Sequence, residues 1–140
     1  MTILYTAHAK TTGGREGFAE TDNKAISLKI AKPGSSAGTN PEQLFACAYG
    51  ACFGGAVTAV AQKHGKDVKN VEVKVDVNLN KDDSGFSISA IINVSLPGIE
   101  KSEAEQIVKE AHEMCPYSKA TRGNIDVQLK VNDSPLAKAA

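Results

Sequence analysis

From Leu44 to Ala61 the chain carries no charged residue, and half of that run is alanine and glycine. The run approaches the length of a membrane span. However, Tyr49, Thr58 and the many small residues make its transfer into lipid only weakly favourable. A helix that is apolar all round and does not enter a membrane must be covered by protein, so this segment is expected to sit at the centre of the fold. Its ends are marked. Asn40 is a good N-cap, Pro41 suits the first helical position, and Glu42 places an acid where the helix dipole favours one. Gly65, after His64, is suited to the left-handed residue that closes a helix. Gly50, Gly54 and Gly55 each cost about 1 kcal/mol relative to alanine in a helix interior, so another element is expected to pack tightly against them.

Strand patterns flank this helix. Ile3, Tyr5, Ala7 and Ala9 alternate with other side chains, as do Ile26, Leu28 and Ile30, with a Gly13-Gly14-Arg15 turn after the first. Val71, Val73, Val75, Val77 and Leu79 alternate with polar residues, Asn80 to Gly85 reads as a turn, and Phe86 to Leu96 alternate on the return. Ser102-Glu103-Ala104-Glu105 reads as a capping box opening a second helix. Pro116 disfavours helical geometry at Cys115 and is expected to end that helix there. A last strand runs through Ile125, Val127, Leu129 and Val131. Three strands, a long helix, two strands, a helix and a strand predict an α+β fold with a largely antiparallel sheet. The 140 residues fit one domain, residues 1–140, with a frayed tail over 134–140.

Lys plus Arg equals Asp plus Glu at 16 each, so no net field steers the chain toward nucleic acid or an anionic membrane. The N-terminus lacks the pattern of a secretory signal, and a cytoplasmic location is expected. In a reducing compartment three cysteines point to metal or thiol chemistry rather than to a structural disulfide. Metal is disfavoured, because no Cys-x-x-Cys or His-x-x-x-His pair occurs and His8, His64 and His112 fall in different elements. Cys47 and Cys52 lie five residues apart on one helix, about 140° apart in direction, so they cannot pair within it. Cys115 is free to meet either. Taken alone, Cys52 reads most simply as a small core residue, and burial would make its thiol inert unless an arginine such as Arg15 or Arg122 stood near.

Four segments, in order, are more specific. Gly13-Gly14-Arg15, Thr39-Asn40-Pro41-Glu42-Gln43-Leu44-Phe45-Ala46, Tyr49-Gly50-Ala51-Cys52-Phe53 and Cys115-Pro116-Tyr117-Ser118-Lys119-Ala120-Thr121-Arg122-Gly123-Asn124 closely resemble the organic hydroperoxide resistance branch of the OsmC group. The resemblance runs from about Leu4 to Val131. It implies a thiol-dependent peroxidase with Cys52 as the peroxidatic and Cys115 as the resolving cysteine, and with Arg15 and Glu42 as polar partners of Cys52. It also implies an intertwined homodimer, regeneration by dihydrolipoamide or a lipoylated protein, and no metal, flavin or other bound cofactor. A carboxylate beside a thiolate is unfavourable, so Glu42 is expected to hold the Arg15 guanidinium rather than to act on sulfur. Cys47 departs from the family pattern and is expected to be a small core side chain. His112 is expected on a solvated helix face and Arg122 on the surface. Tyr49, Phe53 and Tyr117 read either as the wall of an apolar cleft or as core. Two other readings stay open: a related peroxidase with a different substrate, and a redox-sensing binding module. The second has no basic patch or helix-turn-helix to support it.

Overall fold

A computed structural model describes residues 1–137. The chain forms two compact units, Met1–Leu44 and the remainder from Phe45 onward. The first unit holds an antiparallel sheet of β1 (Ala9–Thr12), β2 (Phe18–Thr21) and β3 (Ser27–Lys29), paired in that order. The expected turn between the first two strands is a short 3-10 turn, Gly14–Glu16, entered through Gly13 in a left-handed conformation at φ 75°. The first strand is displaced from its expected place. Ile3, Leu4 and Tyr5 are exposed and lie outside any strand, and pairing begins only at Ala9. Alternation supplies a face for packing but not a partner for the backbone, and β2 pairs no further than Thr21 with Ala9.

The long helix α1 covers Pro41–Lys63. Asn40 caps it as expected, its Oδ1 accepting from the Gln43 amide at 2.9 Å. At the other end Gly65 takes φ 72°. Its amide donates to the Gln62 carbonyl at 3.0 Å while the Lys66 amide donates to Ala61 at 2.9 Å. This pair of bonds is a Schellman closure that satisfies two otherwise orphaned carbonyls.

In the second unit β4 (Glu72–Asp82) and β5 (Gly85–Ser95) form a long hairpin, followed by α2 (Lys101–Met114), α3 (Pro116–Thr121), β6 (Val127–Val131) and β7 (Ser134–Pro135). The hairpin turn is tighter than the sequence pattern implied. Asp82 still pairs with Gly85, and the Asp82 carboxylate accepts from the Ser84 amide at 2.7 Å. The sheet order is β4-β5-β6-β7 with one parallel pair, β5 with β6. That parallel register requires a crossover, which α2 and α3 provide. The capping box is shifted by two residues: Glu100, not Ser102, caps α2, its side chain accepting from the Ser102 and Glu103 amides.

The expected frayed tail is corrected over its described part. Asn132 and Asp133 both take left-handed φ, 48° and 68°, the geometry of a two-residue hairpin turn. Ser134 then pairs with Val131, and Leu136 is buried. The rest of that expectation, residues 138–140, lies outside the described residues.

The core of this unit joins Phe53, Val57 and Val60 of α1, Ile92, Val94 and Leu96 on and just beyond β5, and Ala104, Ile107, Val108 and Ala111 of α2. Each large apolar side chain fully buried contributes about 1.5–3 kcal/mol. Gly50 and Gly54 lie against the valines of the hairpin, where a Cβ would stand 3.4 Å from Val75 and 3.5 Å from Val73. This is the close approach that offsets their helix cost. In length and composition α1 could cross a membrane, and only 39% of its apolar 18-residue window is buried within the chain. The cover by protein expected from the sequence is therefore supplied only in part by the chain itself.

Candidate functional site

The geometry at Cys115 follows from its neighbour. Pro116 excludes helical ψ there, and Cys115 takes φ −63°, ψ 122°. It ends α2, with its amide donating to Ala111 at 2.8 Å, and it also precedes α3, with Pro116 at the first helical position. The helix ends where the sequence predicted, but α3 directly after it was not foreseen. This bend carries Cys115 into the core with no exposed surface. Its Sγ stands 3.2 Å from Sγ of Cys52. Cys52, one turn beyond Tyr49 on α1, is half-buried at the edge of the same core.

Of the three thiols, therefore, Cys52 and Cys115 meet, and all three are free. Cys47 is exposed, which corrects its expected place in the core. The 140° between Cys47 and Cys52 leaves only one of them facing inward. Burial pushes the Cys52 thiol above its ordinary range. The Tyr117 backbone amide pulls it down, and the hydrogen bond and charge of Cys115 push it up again.

Arg15 and Glu42 meet within the first unit. Arg15 Nη2 donates to Glu42 Oε1 at 2.7 Å and Nη1 to Oε2 at 3.0 Å, the fork-to-fork pairing that guanidinium and carboxylate favour. The 3-10 turn presents Arg15, and the first turn of α1 presents Glu42. The arginine side chain is 49% exposed and the glutamate 12%. The guanidinium holds the Glu42 carboxyl below its usual range.

Sequence reasoning missed a buried polar relay around the Cys115 bend. Ser118, fully buried, has its Oγ 2.9 Å from His112 Nδ1 and 2.9 Å from Tyr49 Oη. Tyr49 Oη lies 3.0 Å from Thr121 Oγ1, which donates to the Ser118 carbonyl at 3.2 Å. His112 is thus half-buried and bonded rather than solvated, with its imidazole pushed toward the neutral form first by burial and then by the Arg122 charge. Arg122 is also more than a surface residue, since its Nη2 donates to the His112 carbonyl at 2.5 Å. The available signal was Tyr49, a phenol in the middle of an apolar helix, which needs a partner when buried. Tyr49 and Phe53 are core, whereas Tyr117 is 38% exposed and packs beside Phe45 and Tyr49. Among the described residues no group of three His, Cys, Asp or Glu is disposed to hold a metal ion.

The fold is thus an α+β chain in which a long helix and a Cys-Pro bend bring two free thiols together. The family model for OsmC-like proteins matches residues 33–130, and the chain belongs to that family. It is 47% identical over 133 residues to the organic hydroperoxide resistance protein of Xanthomonas axonopodis pv. citri, with 91% of this chain and 94% of that one covered. The crystal structure of the organic hydroperoxide resistance protein OhrB of Bacillus subtilis superposes with a TM-score of 0.88 at 42% identity, covering 93% and 100% of the two chains. That of an organic hydroperoxide resistance protein from Elizabethkingia anophelis gives 0.84 at 35%, covering 96% and 100%. Within the family, these relatives place the chain in the organic hydroperoxide resistance branch.

Proposed function

We propose that the protein is a thiol-dependent peroxidase that reduces organic hydroperoxides to alcohols and so contributes to resistance against organic peroxides, the role its relatives' names carry. The observation that carries this reading is the 3.2 Å approach of a half-buried and a fully buried thiol. Cys52 thiolate attacks one peroxide oxygen, the O–O bond breaks, and the leaving alkoxide takes a proton to become the alcohol. The Cys52 sulfenic acid then condenses with the Cys115 thiol, giving a disulfide and water. A dithiol, dihydrolipoamide or a lipoylated protein, returns the two electrons.

Because burial raises the Cys52 thiol, the thiolate needs a non-titrating cation. We assign that part to Arg15, held in its fork by Glu42, which would also stabilise charge on the leaving oxygen. The uncharged residues around Cys52 favour bulky apolar peroxides, since alkyl burial contributes ~25 cal/mol per Å². The reading includes a homodimer, a cytoplasmic location and no bound cofactor. It is tested by steady-state turnover of cumene hydroperoxide with dihydrolipoamide. Wild type is expected to turn over and Cys52→Ser to be inactive; equal rates in the two proteins would sink the proposal.

A further inference from the structure

The relay beneath the thiols joins three elements through one hydroxyl. Tyr49 lies three residues before Cys52 on α1, His112 three before Cys115 on α2, and Ser118 three after Cys115 on α3. Ser118 Oγ sits between the other two groups. With Thr121 donating to the Ser118 carbonyl, the proton order is fixed. His112 Nδ1–H donates to Ser118 Oγ, Ser118 to Tyr49 Oη, and Tyr49 to Thr121 Oγ1. Every hydroxyl both donates and accepts, and such a chain strengthens cooperatively.

Apolar side chains of the same shape would stabilise these positions about as well, so stability alone does not call for a buried relay. Direction is what the relay adds. Apolar packing of α1 on α2 tolerates small slides, whereas four linked hydrogen bonds do not. A disulfide has a narrow geometry, with Cβ atoms about 3.5–4.5 Å apart and a dihedral near ±90°, so small slides of Cys115 against Cys52 matter. We propose that Tyr49, Ser118 and Thr121, with His112, are positioning residues that lock the Cys115 bend onto the Cys52 turn and keep the two sulfurs within bonding reach. In turnover this serves the resolving step, and that consequence alone rests on the peroxidase reading.

The test uses equilibrium with glutathione, which needs no peroxide. Oxidised glutathione takes two hydrogen atoms from the Cys52 and Cys115 thiols, yielding the protein disulfide and two reduced glutathiones. All proteins carry Cys47→Ala so that the exposed thiol cannot compete. Tyr49→Phe and Thr121→Val, which keep the shape but remove a hydroxyl and its two hydrogen bonds, are each expected to lower the equilibrium constant for closure about tenfold. Thr121→Ser, which keeps the hydroxyl, is expected to stay within about twofold of the parent protein. If Tyr49→Phe does not fold, the Thr121 pair decides.

Constants unchanged in the variants while their melting temperatures fall would overturn the inference and leave a purely structural relay. A parent protein that forms no Cys52–Cys115 disulfide would overturn it as well. A second arm mixes the same proteins with one equivalent of cumene hydroperoxide. The rate of disulfide closure relative to alcohol release is expected to fall about tenfold in Tyr49→Phe. If the parent protein closes its disulfide in glutathione but releases no alcohol, the peroxidase reading fails while the positioning role stands.

Discussion

Cys52 is more acidic or less acidic according to what surrounds it, and here the balance is set by burial, by the Tyr117 amide and by Cys115. Cys115→Ala removes the neighbouring thiol, whose hydrogen bond and charge push Cys52 up, and so favours the thiolate. The midpoint of the pH dependence of Cys52 alkylation by iodoacetamide is therefore expected to move down in this variant, in a Cys47→Ala background. A midpoint that stays or rises would contradict this account. Glu42 behaves in the opposite sense. Its pKa is depressed by Arg15, so the pair's contribution to stability is present above the ordinary glutamate value and lost as pH falls through the depressed one. Glu42→Gln keeps one acceptor oxygen but loses the charge and the fork. Given the proposed role of Arg15, kcat/KM for cumene hydroperoxide is expected to drop roughly tenfold, whereas an unchanged value would remove Glu42 from the site. The pairing of Arg15 with Glu42 was legible only through the family resemblance, to which the charge argument added that the carboxylate serves the cation rather than the sulfur. The exposure of Cys47 and the burial of His112 were not legible, because helical spacing gives the angle between residues but not which side the sheet covers.

Single elements were read best where one residue excludes all alternatives. Asn40 and Gly65 bounded α1 correctly, and Pro116 placed the break at Cys115, since each acts through its own backbone or side chain. Asn40→Ala is expected to cost about 1 kcal/mol, seen as a lower urea midpoint at unchanged slope. Reading failed where two residues of similar chemistry compete. Glu100 and Ser102 are both plausible caps, and the Glu100 carboxylate, accepting from two amides and from the Ser102 hydroxyl, takes the role. The turn at Asn132-Asp133 was not legible either, because the strand after it has only two residues and so shows no alternation.

At the scale of the whole molecule, Cys47, Ala51 and Gly55 recur every fourth residue along α1, and all three are exposed. A stripe of small side chains on an apolar helix lets another backbone approach, which supports the proposed homodimer. Sedimentation velocity is expected to find a dimer for wild type and a monomer for Ala51→Glu; a monomeric wild type at micromolar concentration would remove the dimer from the proposal. The fold class was visible in the order of patterns, whereas the parallel β5–β6 pair was not, since pairing across a crossover leaves no local mark. That crossover has a consequence for the newly made chain. Cys52 and Cys115 are 63 residues apart, whereas Cys47 follows a far shorter path to Cys52. In an unfolded chain the difference in loop-closure entropy favours the short, wrong pair by about 2 kcal/mol. Helix formation in α1 is a local and fast event, and it turns those two sulfurs away from each other well before the crossover docks. The order in which the elements fold thus guards the order in which the sulfurs pair.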